Sequence, residues 1–388
     1  MPGQISLPTG INCASGFIAF APDGTPNLEP HNPEHRCRHV LKGKRTGNDP
    51  MLGLEILFFS LLGQLLDGVF RGDGDAEDKR QLLAEIAGAA ALGYATRLRQ
   101  PKAVILKGET AENGKSQILD LFRSLLPPDA IASIPAGKMS DERYVVDLPG
   151  KHLNAADELS GAEAIASDVF KAVITGEPVS GRAVYSLPVT VRSVAQHVCA
   201  TNNLPSFSGG MDRGVQRRLL VVTFNRVIPR GERVEHIGLR IGEEEADLLL
   251  GWAVEGASRL IRQREFTVPP SSEMALREWL HLADPVLAWI EERVTVVDPQ
   301  SPEWRDAKVK SAEAYSDFKR FAPAAGFREN MLPAIHGFVQ RLRANRPTIH
   351  KKHTSTGNSL IGLRIANRDP NADREAFADL RSEGGVKD

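Results

Sequence analysis

A short apolar run, Ala103–Leu106, leads into Gly108, Glu109, Thr110, Ala111, Glu112, Asn113, Gly114, Lys115, Ser116 and Gln117. Beyond it Ile118, Leu119, Leu121 and Phe122 recur at helical spacing. Buried strand, polar loop, Gly-Lys-Ser and helix is the order in which a chain cradles nucleotide phosphates. Residues 108–117 are therefore the candidate ATP-binding loop. Backbone N–H groups at the start of the helix face the anion, and the helix dipole adds favourable charge. Lys115 can reach the β- and γ-phosphates, and the Ser116 hydroxyl can ligate Mg²⁺. A side chain at Gly114 would hold the backbone away from a phosphate, and the Lys115 ammonium is expected to be solvated until nucleotide arrives. The usual loop has four residues between its glycines, whereas five separate Gly108 from Gly114. Either the loop is one residue longer, or Glu109 stands where a glycine is usual.

Hydrolysis needs acids as well. Leu153–Ala156 is a short strand ending in Asp157 and Glu158. One carboxylate is needed for the Mg²⁺ hydration shell and one to orient the attacking water. Asp157 is assigned to the first role and Glu158 to the second. Asn202 follows the next strand, where an uncharged amide can position water. Arg217 and Arg218 precede the strand Leu219–Phe224, and a phosphate on a neighbouring subunit is a fitting partner for one of them. Residues 177–193 read as a hairpin with Ser180–Gly181 as its turn, and Arg182, Tyr185 and Arg192 equip it to grip single-stranded nucleic acid.

The elements that must position these groups follow from periodicity. Residues 1–50 are rich in Pro, Gly, Asn and His and read as turns and short strands, with Gly16–Ala21 the best strand. His31, His35, Cys37 and His39 lack a second ligand pair at zinc-finger spacing and read as a polar docking loop. Helices are expected over 51–71 and 77–99, forming a small helical domain. Strands at Ala103–Lys107, His152–Ala156, Ser193–Ala200 and Leu219–Phe224 alternate with helices, including Ala164–Thr175, which implies a largely parallel sheet. A helix over 245–265 precedes a Pro-Pro-Ser-Ser boundary at 269–272. Helices near 273–292, 310–322 and 332–345 then lead to strands at Thr348–His353 and Leu360–Ile365 with a turn over Thr354–Asn358, the order of a winged helix. Between Trp304 and Arg368 there are 13 Lys and Arg against 4 Asp and Glu. The last 20 residues, 369–388, read as disordered.

The whole chain of 388 residues balances 48 Lys and Arg against 49 Asp and Glu, so any nucleic-acid signal must be local. Three scattered cysteines exclude a disulfide framework and fit a reducing cytoplasm. No apolar run reaches membrane-spanning length, and no basic-then-apolar leader stands at the N-terminus.

Taken in order, GETAENGKS, LNAADEL, FKAVITGEPVSGRAVY, CATNNLP and RGVQRRLLVVTF resemble a superfamily-three helicase, in particular the helicase half of phage and plasmid primase–helicases. The resemblance spans about residues 10–365. It implies an α/β fold: an AAA+-like P-loop NTPase core over 101–268, an N-terminal segment and helical collar domain over 1–100, and a C-terminal winged-helix domain over 269–368. It implies ATP and Mg²⁺ as cofactors, with Lys115 and Ser116 on phosphate and metal, Asp157 and Glu158 as the acidic motif, Asn202 as sensor, and Arg217 or Arg218 as an arginine finger. The 178–192 hairpin would face the pore of a hexameric ring moving along single-stranded and forked DNA in the cytoplasm of a bacterial host. Ser186 stands near a place where relatives often have lysine, so the grip would rest on Arg182 or Arg192. Only about 100 residues precede the loop, so no primase or polymerase domain is expected ahead of the helicase in this sequence, which reads as a fragment or a stand-alone helicase, with a separate primase or polymerase as a candidate partner. Two other readings compete: an origin-binding initiator whose winged helix does the main work, and an AAA-like ATPase that remodels protein.

Overall fold

The computed structural model describes residues 9–45, 59–157, 164–208, 210–327, 329, 332–354 and 357–366. Glu158, the helix start expected over 51–58 and the tail 369–388 lie outside them. The chain divides into two compact units, residues 1–277 and 278–388.

The first unit begins with an antiparallel meander, β1 (Gly10–Cys13), β2 (Gly16–Phe20) and β3 (Pro26–Glu29). Two helices follow, α1 (Leu61–Phe70) and α2 (Ala76–Leu92). Ser60 caps α1 by accepting the Gly63 N–H, and the Glu245 carboxylate takes those of Leu61 and Leu62 at 2.7 and 3.0 Å. Gly93, at φ +57, closes α2. Then come β4 (Ala103–Lys107), α3 (Lys115–Leu125), β5 (Ile131–Ala132), α4 (Glu142–Val145) and β6 (Leu153–Ala156). After β7 (Ile165–Ala166) and α5 (Ser167–Thr175), β8 (Val179–Gly181) and β9 (Val189–Val191) form a hairpin. The unit continues through β10 (Gln196–Thr201), β11 (Phe207–Ser208), α6 (Arg213–Gln216), β12 (Leu219–Thr223), α7 (Ile237–Glu244) and α8 (Ala246–Gln263), and into α9 (Pro270–Ala283).

The main sheet is parallel throughout, in the order β12-β4-β10-β6-β5. Strands β4 and β12 are buried on both faces, which is why AVIL and LLVV read as continuous apolar runs. The buried Asn154 of β6 is satisfied. Asn154 accepts the Ile134 N–H at 2.7 Å and donates to the Ile134 carbonyl and to His197 Nδ1. An amide Nδ2 only donates, so Nδ1 of His197 accepts and the ring proton sits on Nε2, facing Ser193 Oγ at 3.2 Å. Burial pushes the His197 pKa down to about 4, and burial together with His39 pushes that of His152 down to about 4.

The helices expected to form a separate domain over 1–100 share one hydrophobic core with the sheet. Leu62, Val69, Leu82, Ile86, Val104, Leu106, Leu249 and Ala253 belong to the same buried cluster. Small residues let α2 and α8 approach: a Cβ on Gly256 would stand 1.8 Å from the Ala84 carbonyl oxygen, and one on Gly88 2.3 Å from the Ala257 nitrogen. Lys79, fully buried on α2, donates to Asp73 at 2.6 Å and to the Thr223 carbonyl and hydroxyl, tying α2 to the end of β12. The boundary expected at 268–269 falls at 277–278.

The second unit contains α10 (Pro285–Arg293), β13 (Val294–Val296), β14 (Lys308–Lys310), α11 (Ser311–Ala324), α12 (Ile335–Asn345), β15 (His350–Thr354), β16 (Gly357–Ile361) and β17 (Leu363–Ile365). The helix expected over 273–292 is broken at Asp284, which caps α10 ahead of Pro285. Strand β15 runs through Thr354 and β16 begins at Gly357, so Thr354, Gly357 and Asn358 of the turn expected over 354–358 are strand residues. β14, β16 and β15 pair antiparallel. Trp289, Phe318 and Phe338 fill the core, with the last two stacked at 4.8 Å. Buried Asp317 accepts from Trp289 Nε1 and Arg293 Nη2 at 2.8 and 2.9 Å.

Two outcomes follow. Gly256→Ala forces the α2–α8 pair apart and is expected to cost about 1–3 kcal/mol, read as a lower denaturation midpoint; an unchanged midpoint contradicts that packing. The second concerns pH. His197 and His152 are held neutral in the fold and take protons once unfolded, so the stability they contribute is complete above about pH 6.5. It is lost as pH falls from there towards about 4, on the order of 3 kcal/mol for His197. Denaturant titrations at pH 7 and pH 5 should show the loss, and His197→Gln should make it smaller. An identical loss in that variant removes His197 from the account.

Candidate functional site

Because the main sheet is parallel, the C-terminal ends of β4, β6, β10 and β12 share one edge, where ligands of open α/β sheets bind. The chain leaves β4 at Lys107, passes through 108–114 and enters α3 at Lys115. Gly108 begins the loop with its N–H on the Thr201 carbonyl, at 3.3 Å. A Cβ there would stand 2.2 Å from Asn113 Nδ2 and 2.7 Å from Lys115 Nζ. Gly114 sits at φ +87, and its missing Cβ makes room for Val69 of α1, which one would meet at 2.4 Å. Besides a phosphate's approach, packing beneath the loop therefore calls for glycine at 114.

Lys115 is not solvated, contrary to expectation. It is only 8% exposed, and Nζ donates to the Gly108 and Thr110 carbonyls at 2.9 and 3.3 Å and to Asn113 Oδ1 at 3.0 Å. The loop folds its own carbonyls over the ammonium, and burial lowers the lysine's pKa. Ser116 at the mouth of α3 is exposed. Gln117 Oε1 accepts the Gly238 N–H at 3.2 Å, so this side chain serves the packing of α7. Glu112, at φ +64, is gripped by both Nη atoms of Arg233 at 2.6 and 2.7 Å, and its carbonyl takes the Ile228 N–H. The Arg233 hydrogen bonds hold the Glu112 carboxyl below the usual range.

Asp157 follows β6 directly. The register pairs Cys199 with Ala156 and Leu106 with Ala200, which sets Asp157 level with Leu106 two strands away, about 10 Å across the sheet. Its carboxylate is held by Arg123 of α3 at 3.0 and 2.7 Å, and Arg123 also reaches Asp120 and the Ala155 carbonyl. Arg123 carries no mark in the sequence beyond being basic on an amphipathic helix. Asn202 is exposed one residue past β10, level with Gly108. Lys115, Asp157 and Asn202 thus share one edge.

Arg217 and Arg218 lie at the opposite edge. Leu219 pairs with Ala103, so both precede the N-terminal end of β12, separated from the loop by the length of β4, about 13 Å of strand. Arg218 is buried, with Nη1 on the Gly214 carbonyl at 2.8 Å and Nε without a partner; burial, then Arg217, lowers its pKa. Arg217 is exposed, and its carbonyl accepts from Lys102 Nζ.

In the hairpin, Ser180 and Gly181 are paired with Thr190 and Val189 and do not form the turn, which instead runs over 182–188. Gly181 is small because Val191 and Val146 crowd it, at 2.6 and 3.2 Å from a built Cβ. Arg182 Nε holds the turn through the Ser186 carbonyl at 2.8 Å, and Arg192 Nη1 reaches the Gly176 carbonyl at 3.3 Å. Tyr185, at φ +61, is fully exposed beside exposed Val184 and Leu187. No group of three or more His, Cys, Asp or Glu able to hold a metal occurs among the described residues. In the 31–39 loop, His31 meets Asn12, His35 stacks on Phe17, and His39 meets Asp129 and the Gly150 carbonyl. No helix among the described residues is long and apolar enough to cross a membrane.

Residues 106–218 match a family of unknown function, DUF5906. No curated protein matches. Among solved structures, the A form apo structure of the NrS-1 C-terminal region is similar at 15% identity, covering 79% of this chain and 76% of that one with a TM-score of 0.41. The apo structure of its residues 305–718 is similar at 16% identity, over 79% and 75%, with a TM-score of 0.40.

Proposed function

We propose that this chain is an ATP-dependent, ring-forming DNA helicase that couples ATP hydrolysis to movement along single-stranded DNA. The observation that carries this reading is the Gly-Lys-Ser turn between β4 and α3, on the sheet edge that also presents Asp157 and Asn202. The 108–114 loop and the first turn of α3 would hold the phosphates, with Lys115 exchanging loop carbonyls for phosphate oxygens. Ser116 and Asp157 would hold Mg²⁺, and Glu158 would orient water. Bound Mg²⁺–ATP supplies the anhydride that is cleaved; the chain's own part is to position it and to stabilise developing charge. Arg217 and Arg218, on the far edge, support a site shared between subunits, in which one of them meets a neighbour's nucleotide. DNA contact draws on Arg182, Tyr185 and Arg192 in the hairpin, and on the second unit. There, three helices followed by the β15–β16 hairpin have the order of a winged helix, with His350, Lys351, Lys352 and His353 along β15.

Anion binding and hydrolysis are separable. Pyrophosphate or Mg²⁺–ATP at 100 times its Kd should stabilise the protein by about 2.7 kcal/mol, and Lys115→Ala should abolish the thermal shift while keeping the fold. A shift retained in full by Lys115→Ala places the anion elsewhere. For hydrolysis, Lys115→Ala and the Arg217→Ala/Arg218→Ala double variant should each lose activity by 10²-fold or more, on the order expected for transition-state charge contacts. Mixed together, they should regain part of it, because some interfaces then pair an intact Lys115 with intact arginines. Confirmed subunit exchange without recovery means that the site is not shared. Glu158→Gln should bind Mg²⁺–ATP and turn it over slowly; normal turnover removes Glu158 from its role.

A further inference from the structure

A second basic site lies away from the phosphate loop. A cleft of about 380 Å³ opens beneath the N-terminal edge of the main sheet, between the 35–41 segment, the end of α2 and the loops entering β6 and β10. Its walls carry Arg36, Arg38, Arg97 and Arg192 with His35, His39 and His152, and no described Asp or Glu lines it. The four arginines are exposed, and none forms an ion pair with a described residue. The nearest acids face two of the histidines from outside: Glu29 stands 3.7 Å from His35, and Asp129 3.2 Å from His39. Unneutralised guanidinium groups converging on one concavity of ligand size mark a site for an anion with several oxygens.

The backbone is shaped for this. Gly150, at φ +81, lets the Arg38 guanidinium lie against the chain, since a Cβ would meet Arg38 Nη1 at 2.4 Å. Arg36 sits at φ +50, where the 33–35 turn ends. His39, 8% exposed, pins the segment by its contacts to Asp129 and to the Gly150 carbonyl at 2.8 Å. Burial, then His39, keeps His152 neutral.

We propose that this cleft binds the phosphodiester backbone of single-stranded DNA. Arg192 joins the two features: it follows β9 at the base of the exposed hairpin and also lines the cleft. A strand leaving the hairpin would therefore meet Arg192 at its base and pass into the cleft that Arg36, Arg38 and Arg97 also line. This rests on the DNA-binding part of the proposed function, and not on ATP hydrolysis.

The test uses the full chain with Arg36, Arg38 and Arg97 changed to alanine together, and Arg36→Gln alone as a milder variant. A fluorescent oligothymidylate is titrated by anisotropy across a salt series. The triple variant should bind at least tenfold more weakly, and its log Kd against log salt should flatten by about 2, near 0.7 for each phosphate no longer neutralised. Arg36→Gln should shift in the same direction by about a third as much in slope, while ATP hydrolysis without DNA stays at the wild-type rate in both. Unchanged affinity and slope in a folded triple variant overturn the proposal. So does inorganic pyrophosphate stabilising the Lys115→Ala protein through these arginines while oligothymidylate binding is unaffected, since the cleft is then a small-anion site. Arginine-dependent DNA binding by a protein that hydrolyses no ATP upholds the cleft and removes the helicase reading.

Discussion

The ammonium of Lys115 rests on the carbonyls of Gly108 and Thr110, and the geometry of the 108–114 loop depends on that closure. A buried lysine must find acceptors or lose its charge. Here the acceptors come from the turn that carries it, with Asn113 bridging the Thr110 carbonyl and Lys115. The loop is thereby held in a bent form with little room for side chains at Gly108 and Gly114. From below, α1 supports it through Val69; from the side, Arg233 clamps Glu112. A phosphate entering the turn would replace carbonyl oxygens with better acceptors, so nucleotide binding would release the loop's own hydrogen bonds.

The central sheet was legible because burial on both faces demands continuous apolar runs, and β4 and β12 obey that rule. β5 was not, since two residues, Ile131 and Ala132, make no run. The half-buried strands β1 and β3 carry too little pattern to stand out from the Pro- and Asn-rich stretch around them. Lys79 and Glu85 were invisible as core residues, because a charge on an amphipathic helix ordinarily faces water. Thr223, a partner of Lys79, and Arg259 and Thr267, partners of Glu85, come from distant segments. The same long-range pairing explains the helical domain that proved to share the sheet's core. Ser180–Gly181 misleads for another reason: glycine there serves a close approach to Val191 and Val146, a demand that local sequence cannot distinguish from a turn.

At the site, spacing alone brought Lys115, Asp157 and Asn202 to one edge, since each follows a strand of a parallel sheet. What it did not reveal is how they are held. Arg123 occupies both oxygens of Asp157, so a metal ion placed there as proposed would have to compete with, or share, a guanidinium. The far-edge position of Arg217 and Arg218 follows from their preceding a strand where the others follow one. A single chain thus presents the 108–114 loop and the arginine pair at opposite edges of its main sheet, and in the proposed ring that placement would let identical subunits complete one another's sites.

The central claim joins nucleotide chemistry, DNA and assembly, and one measurement reaches all three: ATP hydrolysis with and without single-stranded DNA across a range of protein concentration. The account predicts a specific activity that rises steeply with concentration as subunits meet and is stimulated further by single-stranded DNA. Hydrolysis that is constant per subunit and indifferent to DNA would contradict it.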